Sequence, residues 1–202
     1  MTRIAIVDYG LGNLRSVFRG LERAGASPSI TSDAGEIASA DGIVLPGVGA
    51  FREGMEQLGD LRATVIESSQ SVPVLGICLG MQMLMEFSEE HGLHEGLSLI
   101  PGTVRKFPAK QGFKIPHMGW NQIHITKPGH PLFDRLSDDE YMYFVHSYYA
   151  DTGERYTLTT TDYICGFSST ITDGNVCGVQ FHPEKSGASG LRILANFIAM
   201  CC

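Results

Sequence analysis

Residues 76–83, GICLGMQM, set one of the chain's five cysteines between two glycines at the end of an apolar run. GxCxG has the layout of GxSxG, the elbow at which a strand turns sharply into a helix and presents a nucleophile. The backbone closes tightly at such a turn, so the residues two before and two after must be small, and Gly76 and Gly80 are. The flanks also fit, with VPVLGI extended on one side and Met81, Leu84 and Met85 at helical spacing on the other. A thiol at a helix start meets unpaired N–H groups and the positive end of the helix dipole, which favour the thiolate. The amide of Leu79 is then placed to donate to a developing oxyanion. Read alone, the same pattern equally suits a buried packing cysteine, the ordinary state of a free thiol.

A base decides between the two, and residues 178–186, GVQFHPEKS, supply one at the end of an expected strand. Pro183 biases His182 towards extended geometry. His182 and Glu184 are then expected to project to the same side. A carboxylate can hold one imidazole nitrogen while the other faces a thiol, the Cys-His-acid arrangement of an activated nucleophile. The competing reading is a partly buried histidine at a strand end. Two independent local patterns agree on the catalytic one. His91 and His94 resemble a surface turn, and no metal site is expected there. His117, His124 and His130 fall on polar or loop-like stretches, Cys165 and Cys177 in strand patterns as packing residues, and Cys201 and Cys202 at an end expected to fray.

The elements that must carry these residues alternate in the first half. Apolar runs at 3–7, 43–47 and 72–77 read as buried strands. A helix follows the first, with Leu14, Val17, Phe18 and Leu21 on one face, and helical stretches cover 51–58 and 61–70. Such alternation implies parallel strands joined by right-handed crossovers. The second half has strand-like segments at 97–107, 120–126, 142–150, 156–160, 163–168 and 175–181, punctuated by Gly, Pro and Asp as in antiparallel hairpins. A last helix is expected over 189–200. With no repeat, low-complexity tract or linker, residues 1–202 read as one domain.

Composition narrows the function. At 43% hydrophobic and 18% charged, the 202 residues read as an ordinary soluble globular protein. A formal net charge of -7 argues against a nucleic-acid partner. No run is long enough to span a bilayer, and the start lacks the features of a signal peptide, so no membrane partner and a cytoplasmic location are expected. There is no P-loop, and GLGNLR from Gly10 lacks the third glycine of a dinucleotide fingerprint, so no cofactor is expected.

GICLGMQ and QFHPEKS resemble the paired signatures of the class I, triad-type glutamine amidotransferases. DYGLGNL, LPGVGAF, PHMGWN and YFVHSYY narrow the likeness, from end to end, to the glutaminase subunits of imidazole glycerol phosphate synthases in histidine biosynthesis. The resemblance implies a three-layer α/β fold with a largely parallel central sheet, helices on both faces and antiparallel strands in the C-terminal half. It implies that Cys78 attacks the side-chain amide of glutamine, His182 serves as base and acid, and Glu184 orients it. It places the amide of Val48 beside that of Leu79 in the oxyanion hole, and Gly49, Gln82, Ser147 and Tyr148 around the substrate glutamine. The partner implied is a separate (β/α)8-barrel cyclase, in a heterodimer, that takes the ammonia and makes imidazole glycerol phosphate and aminoimidazole carboxamide ribonucleotide. Trp120, Arg19 and Lys185 are the residues the resemblance places at that boundary; the residue types alone favour a core tryptophan and a solvated basic stripe of Arg15, Arg19 and Arg23. Other outcomes of the same residues are a glutaminase serving another synthase, or a binding subunit without activity.

Overall fold

The computed structural model describes residues 1–202. Its first half runs β1 (Arg3–Val7), α1 (Leu14–Arg23), β2 (Ser27–Thr31), α2 (Ala34–Ala38), β3 (Gly42–Gly47), α3 (Phe51–Leu58), α4 (Leu61–Ser68), β4 (Val74–Cys78) and α5 (Leu79–Met83). Then follow β5 (Met85–Ser88), β6 (His94–Glu95), β7 (Ile100–Lys106), β8 (His117–Ile125), β9 (Glu140–His146), β10 (Tyr148–Asp151), β11 (Thr157–Asp162), β12 (Gly166–Asp173), β13 (Val176–Val179) and α6 (Gly187–Met200).

The strands form a 13-stranded sheet whose main path is β2-β1-β3-β4-β13-β12-β10-β7-β5-β6. From β2 to β13 all neighbours are parallel, and beyond β13 antiparallel pairing dominates. Alternate residues of the parallel strands enter opposite cores. Ile4, Ile6, Val44, Leu75 and Ile77 pack with α1 and α6 on one face. Ala5, Val7, Ile43, Leu45 and Val74 pack with α2 to α5 on the other. Burial on both faces is why these strands read as unbroken apolar runs.

The elements at 27–38 carry no such signal. β2 is the outer strand and most of its residues are exposed, so it has no apolar run to detect. Asp33 starts α2 by accepting a hydrogen bond from the Glu36 amide at 2.8 Å. In the second half, the expected strand at 142–150 is two strands, β9 and β10, broken at Ser147. The expected 163–168 strand begins only at Gly166, because Tyr163–Cys165 forms the turn from β11. Cys201 does not fray: it is half-buried, its thiol donates to Phe197 O, and its sulfur packs against Gly42. No helix is long and apolar enough to cross a membrane.

Candidate active site

Three adjacent parallel strands end at one edge of the sheet. In their register Gly47 of β3 lies beside Cys78 of β4, and Val179 of β13 beside Ile77. The residues just beyond these ends, Val48–Gly49, Leu79 and the 180–184 segment, therefore converge, as ligand-binding groups do at the carboxyl ends of α/β strands. Cys78 occupies φ +54°, ψ −107°, a conformation a non-glycine residue adopts only when its surroundings impose it. The surroundings are the two glycines. A Cβ on Gly80 would lie 1.8 Å from the Leu45 carbonyl oxygen, and one on Gly76 would lie 2.7 Å from the Met81 amide nitrogen. The helix behind the cysteine is shorter than the spacing predicts. It stops at Met83, because residues 85–88 leave it to pair as β5 with β7.

His182 and Glu184 meet, but not as alternate residues of a strand. Pro183–Lys185 form a 3₁₀ turn, which folds the carboxylate back so that His182 Nδ1 donates to Glu184 Oε1 at 2.9 Å. A proline at the first turn position favours this bend, since it has no N–H to leave unpaired. The turn is clamped from several sides. The His182 amide donates to Tyr143 O at 2.9 Å, and Ser186 Oγ donates to His182 O at 2.6 Å while accepting from the Tyr143 amide. Gly190 lets α6 close on it, where a Cβ would sit 2.1 Å from Pro183 O. Both side chains are buried, 2% and 0% exposed. Burial alone would lower the imidazole pKa, but the hydrogen-bonding groups and charges of Cys78 and Glu184 outweigh it and raise His182 to about 9. His182 Nε2 is buried and makes no well-formed hydrogen bond, although the sulfur lies near enough to perturb it.

In front of Cys78 opens a cavity of about 380 Å³, within the range of small-molecule sites. Val48, Gly49, Leu79 and Gln82 line one side, and Ser147 and Tyr148 the other. Gly49 takes φ +110°, a backbone conformation open to glycine, immediately after Val48. Other clefts, of about 450 to 760 Å³, are larger but are lined by no cysteine. Glu90, which no sequence motif marks, also lines the cavity. Its Oε2 accepts from the Phe51 amide at 2.6 Å at the start of α3, and its Oε1 has no protein partner. It follows β5, which parallel pairing with β7 brings here, so no local spacing marks it. His117 is likewise misread as a loop residue. It is 3% exposed in β8 and stacks between Phe144 and Tyr163.

The residues expected at a subunit boundary lie outside the cavity. Trp120 is 56% exposed and shares one face of the β8–β9 hairpin with Met118, Tyr141 and Tyr143. Lys185 Nζ sits 5.8 Å over the Tyr143 ring, joining that face to the His182 turn. Arg19 is exposed on α1 and borders a separate cleft that also touches Glu184. Gly20 permits this approach of α1, since a Cβ there would press 2.8 Å from Leu194 Cδ1 and 3.4 Å from Glu184 Cβ.

Residues 5–201 match the family described as Glutamine amidotransferase class-I. The chain is 54% identical over 204 residues to imidazole glycerol phosphate synthase subunit HisH of Methanosarcina barkeri, covering 100% of both. Among solved structures it resembles PurLQS from Thermotoga maritima, with TM-score 0.78 and 17% identity over 98% of this chain and 99% of that one. It also resembles the glutaminase domain of Trypanosoma brucei CTPS with bound acivicin, with TM-score 0.71 and 19% identity over 100% and 94% of the two chains. At those identities the structures speak for the fold alone. The full-length sequence match speaks for descent, and the chain belongs to the class I glutamine amidotransferase family.

Proposed function

We propose that this chain is the glutaminase subunit of an imidazole glycerol phosphate synthase, releasing ammonia from glutamine for a separate cyclase subunit. One observation carries the chemistry: a strained cysteine faces a small cavity beside a buried His182–Glu184 pair whose outer nitrogen, Nε2, has no other partner. Cys78 gives its proton to His182 Nε2, whose pKa of about 9 beside Cys78 and Glu184 keeps it there near neutral pH, and the sulfur then attacks the side-chain carbonyl carbon of glutamine. Glu184 holds the imidazole by Nδ1 and stabilises the imidazolium that forms. The oxyanion of the tetrahedral adduct takes hydrogen bonds from the amides of Leu79 and Val48. His182 then returns its proton to the leaving nitrogen, ammonia departs, and a γ-glutamyl thioester remains on Cys78. Water, deprotonated by His182, attacks the thioester carbonyl and releases glutamate, and the proton returns to sulfur.

Glutamine is an amino acid, and its α-ammonium needs an opposite charge. Glu90, with its unpartnered Oε1, is the carboxylate of the cavity lining. Glu90→Gln is expected to raise KM for glutamine by about tenfold or more while leaving kcat within roughly threefold, since a charged hydrogen bond contributes about 1.5–3 kcal/mol. An unchanged KM in steady-state assays removes Glu90 from substrate recognition.

The subunit assignment draws support from the full-length identity to relatives bearing that name and from the exposed Met118–Trp120–Tyr141 face, which Lys185 borders. A barrel cyclase docks there and receives the ammonia under cover, with Arg19 at the same boundary. Glutamate release is expected to be slow for the chain alone and strongly stimulated by the cyclase with its acceptor nucleotide. Trp120→Ala is expected to weaken that stimulation at limiting cyclase, because exposed aromatics commonly anchor interfaces. Equal activity with and without the cyclase overturns the coupled reading in favour of a glutaminase serving another synthase. The complete Cys78, His182 and Glu184 set argues against a subunit without activity.

A further inference from the structure

From the cavity lining, to which Gln82 and His146 belong, a hydrogen-bond chain runs inward that the mechanism above does not use. Its polarity can be derived from two backbone carbonyls, because a carbonyl oxygen can only accept. At one end Tyr148 O lies 2.8 Å from His146 Nδ1 and 3.0 Å from the Gln82 amide nitrogen. His146 must therefore carry its proton on Nδ1, and in the neutral ring Nε2 accepts. That nitrogen is 3.0 Å from His117 Nδ1, which must donate. At the other end, Asn121 Nδ2 donates to Asp162 O at 2.9 Å, and its Oδ1 accepts from the Gln122 amide. The same Nδ2 lies 3.3 Å from His117 Nε2, which must accept, so His117 again carries its proton on Nδ1. Both ends give the same tautomers. A second proton on either ring would set donor against donor. Burial disfavours charge as well, and lowers His117 to about 4 and His146 to about 3.

The chain continues to the nucleophile. With its nitrogen turned to Tyr148 O, Gln82 also donates to Gln180 Oε1 at 3.1 Å. Gln180 is 0% exposed, and its own nitrogen is then left facing Cys78 Sγ at 3.7 Å. Gln82 Oε1 has no protein partner and is available to the cavity that Gln82 lines. We propose that Gln180, His146 and His117 are positioning residues of the glutaminase site, holding Gln82 with its oxygen towards the substrate and an N–H against the Cys78 sulfur. This rests on the glutaminase reading. It adds to it a device by which the β8–β9 hairpin, whose outer face carries Trp120, is connected by its inner face to the nucleophile.

Long-range proton–nitrogen NMR of the intact chain tests the polarity directly: both rings are expected as neutral Nδ1–H tautomers near neutral pH, and an Nε2–H tautomer at either ring overturns the proposal. Kinetics with the cyclase present test the role. His117→Phe keeps the ring stack but removes the donor, and is expected to raise KM for glutamine about tenfold with kcat within roughly threefold, the effect of one lost buried hydrogen bond. His117→Asn keeps a donor near the Nδ1 position and is expected to restore most of the loss. Gln180→Glu turns the N–H facing sulfur into an acceptor. It is expected to lower kcat and the rate of Cys78 alkylation by iodoacetamide about tenfold. Altered melting temperatures with unchanged KM and alkylation rate would mean a structural role only and overturn the proposal. A wild type that releases no glutamate would remove the glutaminase reading, while the tautomer result would still be decided separately.

Discussion

Cys78→Ala is expected to abolish glutamate release, by about ten-thousandfold or more, and to leave the fold intact. The size follows from the role: without sulfur there is no thioester, and removing a nucleophile from a set that acts as a unit costs nearly the whole of what the set contributes. The intact fold follows from the site. Alanine keeps the Cβ and removes one atom beside an existing cavity, so the melting temperature should stay near that of the parent. A glutamine-like electrophile is expected to form its adduct on Cys78 in the wild type and none in the variant, as read by intact mass and peptide mapping. Of the other four cysteines, Cys177 and Cys201 are held up at about 11 and about 12 by burial, and neither they nor Cys165 and Cys202 line the cavity. Glutamate release that survives in Cys78→Ala, or an adduct found mainly on Cys202, would remove Cys78 as nucleophile.

Gly80→Ala is expected to damage both stability and activity although it adds one methyl group. The added Cβ would lie 1.8 Å from the Leu45 carbonyl oxygen, a backbone atom of a central strand that cannot rotate away. Either α5 lifts off β3 or β3 moves, and both carry the Cys78 elbow with them. Overpacking of this kind costs about 3 kcal/mol. In a chain of this size that lowers the melting temperature by roughly 6–12 °C. Activity should fall further than stability, because the Leu79 amide and the Cys78 sulfur shift together relative to His182. Gly153 is the contrast, with no atom within 4 Å of a Cβ placed there and no left-handed backbone to strain. Thermal melts and steady-state kinetics of Gly80→Ala with parental values in both would show that the close approach is not what holds the elbow.

Much of this was legible without coordinates, and the reason is local. Buried parallel strands need apolar residues on both faces, so β1, β3 and β4 announce themselves as runs, and amphipathic α1 by its spacing. The elbow is legible because its sterics are contained within five residues, from Gly76 to Gly80. β2 carries no such signal, because an edge strand owes its geometry to β1 beside it. The length of α5 was overestimated because Met85 keeps helical spacing yet is drawn into the sheet by β7. His182 and Glu184 meet, but through a 3₁₀ turn rather than as alternate residues of a strand, because the turn is closed by tertiary contacts that no local spacing reveals.

By itself the sequence determined the residue types that can react, the elements that carry them and the family to which they belong. The tertiary structure alone decided that Cys78 and His182 share one site, since β4 and β13 are far apart along the chain and meet only through parallel pairing. It also decided which polar groups stand behind them. Glu90, Gln180, His117 and His146 come from separate elements and have no common spacing; their roles depend on which atoms face which, and hydrogen-bond polarity is set by neighbours in space.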